Sequence, residues 1–151
     1  MKNILIYGYG NPGRQDDGLG VMLAERVDSW AKDKQLSSVK TDTNYQLNIE
    51  DAYGLDKYDI VVFADASIEE LDNYLLEELH PKLDVNFSMH SVSPNFVLGV
   101  AKEMYNQLPD AYLLHIKGYE WEFMNEPTEG AIQNLEVAYS QLVSKIEGWL
   151  E

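Results

Sequence analysis

No cysteine occurs among the 151 residues, which excludes disulfides, thiolate metal sites and a cysteine nucleophile together. Cations are scarce as well: 11 lysines and arginines stand against 26 aspartates and glutamates, a formal net charge of −15. A nucleic-acid binder needs a cationic footprint, so no nucleic-acid partner is expected. Anionic membrane surfaces and most small phosphorylated substrates would be repelled too. A neutral or basic protein partner, or a metal cation, fits that field better, although solubility alone would account for it. No apolar run approaches the length of a membrane span, and no charged-then-apolar leader follows Met1. A cytoplasmic protein with no membrane attachment is therefore expected. Repeats, low-complexity tracts and linkers are also missing, so residues 1–151 read as a single domain. A hydrophobic content of 45% with ten tyrosines suffices for a real core.

The most informative stretch is the run from Gly8 to Gly20, GYGNPGRQDDGLG. It follows an apolar strand signal, Asn3–Tyr7, and leads into Leu19–Lys32, where Leu19, Leu23, Val27 and Trp30 recur at helical spacing. Gly8, Gly10 and Gly13 satisfy the dinucleotide fingerprint in its letters. That fingerprint rests a pyrophosphate on the helix N-terminus, where Asp16 and Asp17 would repel it. Five residues also separate Gly13 from Leu19, and Asp42 comes too late to bind a ribose. The nucleotide reading fails on charge and register.

Strand and helix signals alternate, the mark of an α/β layered sheet. Ser38–Asn44 reads as a second strand and Leu47–Leu55 as a short helix. Asp59–Asp65 is a continuous β-branched and apolar run ending in an acid. Leu71–Leu79 suits either a helix or an edge strand. Pro94 opens a helix to about Asn106 with Ser93 as its N-cap. Ala111–Ile116 is a further strand. Glu129–Leu150 is an amphipathic helix with Ile132, Leu135, Ala138, Leu142, Ile146 and Trp149 on one stripe.

Right-handed crossovers favour a strand order beginning 2-1-3, and ligands collect at the carboxyl ends of strands where the order reverses. Asp16 and Asp17 follow the first strand, Asp65 ends the third, and His90 lies on the loop before the Pro94 helix. One acid of the first pair, Asp16, is expected to cap the helix, leaving Asp17 to face the crevice. Two carboxylates and an imidazole make an open divalent-metal site suited to nickel, zinc, copper or iron. Paired carboxylates could instead split their pKa values for acid–base work. Taken singly, Asp65 could merely cap a turn, and His90 could be an ordinary loop histidine, as expected for His80 and His115. No Gly-x-Ser-x-Gly elbow supports a serine peptidase. Trp121 and Phe123 read first as core residues.

The chain resembles the nickel–iron hydrogenase maturation endopeptidases. The likeness is carried by Gly8-x-Gly10-Asn11 with Asp16-Asp17-Gly18-x-Gly20, by Phe63-Ala64-Asp65-Ala66, by His90 four residues before Pro94, and by Gly118-Tyr119-Glu120. The resemblance implies a three-layer α/β sandwich, phosphorylase/hydrolase-like, with a mostly parallel central sheet and helices on both faces. It implies an endopeptidase that removes a C-terminal extension from the hydrogenase large-subunit precursor, its one partner, once nickel is installed. Asp17, Asp65 and His90 would then recognise nickel carried by that precursor, with no tightly bound cofactor of the enzyme's own. A monomer that docks transiently is expected. Pro12-Gly13-Arg14 departs from the more apolar residues expected there and could tune precursor choice. A self-sufficient metallohydrolase using the same residues, and a non-enzymatic assembly or binding module, remain the rival readings.

Overall fold

Strand signals and helical stripes resolve into eight main elements, seen in a computed structural model that describes residues 1–83 and 92–151. In chain order they are β1 (Ile4–Tyr9), α1 (Leu19–Asp33), β2 (Val39–Asn44), β3 (Ile60–Ser67), β4 (Tyr74–Leu79), α2 (Pro94–Met104), β5 (Asp110–Lys117) and α3 (Glu129–Leu150). The strands form one five-stranded sheet in the order β2-β1-β3-β5-β4. Neighbours are parallel except at the β4 edge, which runs antiparallel to β5. The order begins 2-1-3, as the crossover rule anticipates.

Period-two alternation sends successive strand residues to opposite faces. Ile4, Ile6, Val62, Ala64, Leu114 and Ile116 face α1 and α3, where they meet Leu19, Leu23, Val27, Leu135, Leu142 and Ile146. Leu5, Tyr7, Val61, Phe63 and Ala111 face the other way, onto Val97, Leu98 and Ala101 of α2 and onto Leu47, Ala52 and Leu55. The result is the expected three-layer sandwich with helices on both faces. β1 from Ile4 to Tyr7 and β3 from Ile60 to Ala64 are apolar because both of their faces are covered there.

Two local features were open or differently expected from sequence. Leu71–Leu79 settles as the edge strand β4: Tyr74 and Leu76 pack on the α1–α3 side, while Glu77 and Glu78 are exposed and discourage further pairing at that edge. Residues 47–55 form no α-helix but two 3-10 turns, Ile49–Ala52 and Leu55–Lys57. Asn48 and Asp51 close a capping box on the first turn, and Gly54 at φ +80° opens the second. The spacing of Leu47, Ala52 and Leu55 imitates a helix because all three are buried. The α2 start follows the expected pattern, with Ser93 Oγ accepting the Phe96 N–H at 3.1 Å.

Candidate active site at the carboxyl edge of the sheet

The glycine motif serves packing first. A Cβ on Gly8 would lie 2.0 Å from the Gly20 carbonyl oxygen, and one on Gly20 would lie 2.2 Å from the Ala64 carbonyl oxygen. The start of α1 thus sits directly on β1 and β3, just where Gly8 and Ala64 pair in register. Gly10 adopts φ +133°, a conformation open to glycine but strained for other residues, and turns the chain away from the strand.

That tight seat places Asp17. Its Oδ2 accepts the Asn11 N–H at 2.8 Å, and Asn11 is itself fixed because its Oδ1 accepts the Gly13 N–H at 2.9 Å. Asp65 lies inside β3, two residues before its end rather than at it. Burial, then the negative charge of Asp17, push the Asp65 carboxyl up to about 7, while hydrogen bonds from the Ala66 backbone and the Tyr9 side chain partly oppose the rise. Tyr9 responds in kind: burial and the Asp65 carboxylate hold its phenol well above its usual range. Asp17, just after β1, and Asp65, in the adjacent β3, thus lie at the same end of the sheet, where the Asp17 charge bears on Asp65.

Asp16 does something else than expected. The N-cap of α1 is Gly18, with no side-chain cap. Asp16 is fully buried and reaches across to the β5–α3 connection. Its carboxylate accepts the backbone N–H groups of Tyr119 (2.7 Å), Glu120 (3.0 Å) and Thr128 (2.7 Å), and the Thr128 hydroxyl at 2.8 Å. Burial alone would raise its pKa, but those four donors outweigh it and hold the carboxyl below the usual carboxylate range. Thr128 is in turn the N-cap of α3. Asp16 thus clamps the second connection to the first, and Gly118-Tyr119-Glu120 supplies backbone donors rather than chemistry.

His90, the third candidate ligand, lies outside the described residues. Among the described residues no group of three His, Asp or Glu side chains is placed to hold a metal. His115 lies in β5, 3.3 Å from Glu77 across the β4–β5 edge. Phe123 departs from expectation. It is 68% exposed with the Arg14 guanidinium 5.6 Å above its ring, because it sits in a loop beyond β5 rather than on the strand. Tyr9 is the residue beside Asp65 that pattern reading passed over. Its one signal was membership of the glycine-rich run, where a tyrosine looks like a spacer.

The chain matches no family model and no curated protein. Solved structures do share its architecture. A NiFe hydrogenase maturation protease, HycI from Thermococcus kodakarensis, is similar with a TM-score of 0.76 at 24% identity, covering 95% of this chain and 91% of that one. The hydrogenase maturating endopeptidase HybD from Escherichia coli gives 0.69 at 18% identity, over 98% of this chain and 93% of its own. A hydrogenase 2 maturation peptidase from a Thaumarchaeota archaeon gives 0.68 at 18% identity, over 97% and 99%. The chain thus has the fold of the hydrogenase maturation proteases along nearly its whole length, as its resemblance to that family implied.

Proposed function

We propose that this chain is an endopeptidase that trims a C-terminal extension from the nickel-loaded large-subunit precursor of a NiFe hydrogenase. Asp17, Asp65 and His90 would recognise the nickel, which belongs to the substrate. The observation that carries the reading is the Asp17–Asp65 pair on a fold shared with hydrogenase maturation proteases. Asp17 raises the cost of ionising Asp65, and a cation beside them would relieve it. With no cysteine in the chain, such a site offers only oxygen and imidazole donors. It suits a metal already held by the partner better than one captured from solution. Docking on that metal would place the scissile bond in the crevice and make attack effectively intramolecular. A carboxyl that titrates at about 7 is also matched to taking a proton from an attacking water near neutrality. The test is processing of the nickel-loaded precursor by Asp17→Asn, Asp65→Asn and His90→Ala. Each variant is expected to lose cleavage while keeping its cooperative thermal melt. Full cleavage by all three would end the proposal.

A further inference from the structure

The loop between β1 and α1 is tied along its length to the loop that follows β5. The Gly13 carbonyl accepts the Met124 N–H at 2.9 Å, and Arg14 Nε donates to the Trp121 carbonyl at 3.0 Å. Gln15 donates through Nε2 to Glu120 at 3.3 Å and accepts the Glu122 N–H at 3.0 Å. The Asp16 clamp completes the seam. What these bonds present is an apolar tip: Phe123 is 68% exposed and Met124 94%. Met124 is held at φ +65°, left-handed backbone that an unbranched side chain enters only when its surroundings impose it. The core does not use either side chain, yet hydrogen bonding fixes the backbone that displays them. The tip is also coupled to the site, since the Arg14 carbonyl accepts the Asp17 N–H at 3.1 Å.

The same edge of the sheet bears Tyr45 just beyond β2 and Ile68 just beyond β3, both largely exposed. Acids accompany the apolar groups: Glu120, Glu122 and Glu126 flank the tip in sequence, and Glu69 and Glu70 follow Ile68. Among the described residues the nearby cations are already engaged: Arg14 with the Phe123 ring and the Trp121 carbonyl, and Lys117 with the Ile68 and Glu69 carbonyls. We propose that the Phe123–Met124 tip grips the polypeptide substrate beside the Asp17–Asp65 pair, and that the gripped segment carries apolar side chains and a net positive charge. The proposal rests on the peptidase reading and adds where, and by what chemistry, the substrate is held. Exposed apolar groups at a site rim supply binding area, and the acidic surround selects a cationic partner and speeds encounter.

Steady-state cleavage of the nickel-loaded precursor would be compared for the wild type and for Phe123→Ser, Met124→Asn and their combination, with Val137→Ser on exposed α3 surface as control. Asparagine tolerates the left-handed backbone at 124, so thermal melts should be unchanged. The double variant should raise KM roughly tenfold with kcat nearly constant, the size expected when an anchoring pair is truncated. The wild-type KM should rise as salt is raised from about 50 to about 300 mM. An unchanged KM in the double variant overturns the proposal. So does binding to phosphatidylcholine–phosphatidylglycerol vesicles that depends on Phe123, which would make the tip a lipid anchor. If the wild type cleaves nothing, calorimetric binding of the same precursor separates the two claims. Binding lost in the double variant keeps the surface and removes the peptidase, and no binding by the wild type removes both.

Discussion

Asp65 and Asp16 are both shielded from water, yet their protonation is biased in opposite directions, and each bias predicts a pH-dependent stability. The Asp65 carboxyl is pushed up to about 7 by burial and then by Asp17, so between about pH 4 and pH 7 the folded state holds a proton that the unfolded chain has released. Its ionisation therefore costs stability increasingly over that window, and the whole cost is present above it. Asp65→Asn should leave metal-free protein more stable at pH 8, by at most about 4 kcal/mol, and the gain should vanish near pH 4. Chemical denaturation of both proteins at the two pH values checks this; an equal effect at both would contradict it. Asp16 runs the other way. Its carboxyl lies below the usual range, so its contribution is complete above about pH 4 and is lost as pH falls through the folded-state value. Asp16→Ala strands four donors and should cost about 3 kcal/mol or more, lowering Tm by on the order of 10 °C. That loss should shrink in acid. Chain position indicated that Asp17, after β1, and Asp65, in β3, belong to neighbouring elements, because a 2-1-3 order sets those strands side by side. It did not reveal the task of Asp16, whose partners Tyr119, Glu120 and Thr128 are over a hundred residues away.

Between elements, the decisive contact is the start of α1 against β1 and β3. Gly8 and Gly20 meet backbone carbonyls that cannot turn aside, so Gly8→Ala or Gly20→Ala must lift the helix from the sheet. Each should cost about 3 kcal/mol in equilibrium unfolding, with cleavage falling as well because Asp17 travels with the helix. A stability loss below about 0.5 kcal/mol in both would show that the seat is not tight. Continuous apolar runs and helical stripes made β1, β3, α1 and α3 legible in the sequence, because burial on both faces of a strand, or one face of a helix, leaves a period. Where burial is local the period misleads. Leu47, Ala52 and Leu55 are buried by two short turns and so imitate one helix, while Leu71, Leu75 and Leu79 fit a helical spacing although Leu75 is largely exposed on an edge strand. The β5–α3 connection carried no periodic signal at all, which is why Phe123 was read as core when it is a presented loop residue.

For the molecule as a whole, the net charge of −15 dominates its response to salt. Among the described residues, the ion pairs joining Lys or Arg to acids are Arg26–Glu136 and Lys32–Asp28, exposed contacts worth at most about 1 kcal/mol each. Screening should therefore relieve more repulsion than it removes attraction. Tm should rise when sodium chloride is added at neutral pH, and a fall would mean that local ion pairs outweigh the global excess. The same field would repel nucleic acid and anionic lipid and favour a cationic protein partner. The most direct test is mass spectrometry of a matched hydrogenase large-subunit precursor incubated with this protein, in one sample loaded with nickel and in the other free of it. Loss of a C-terminal fragment in the nickel-loaded sample alone is the predicted result. Equal shortening in both samples would contradict recognition through the metal, and no shortening in either would contradict the peptidase itself.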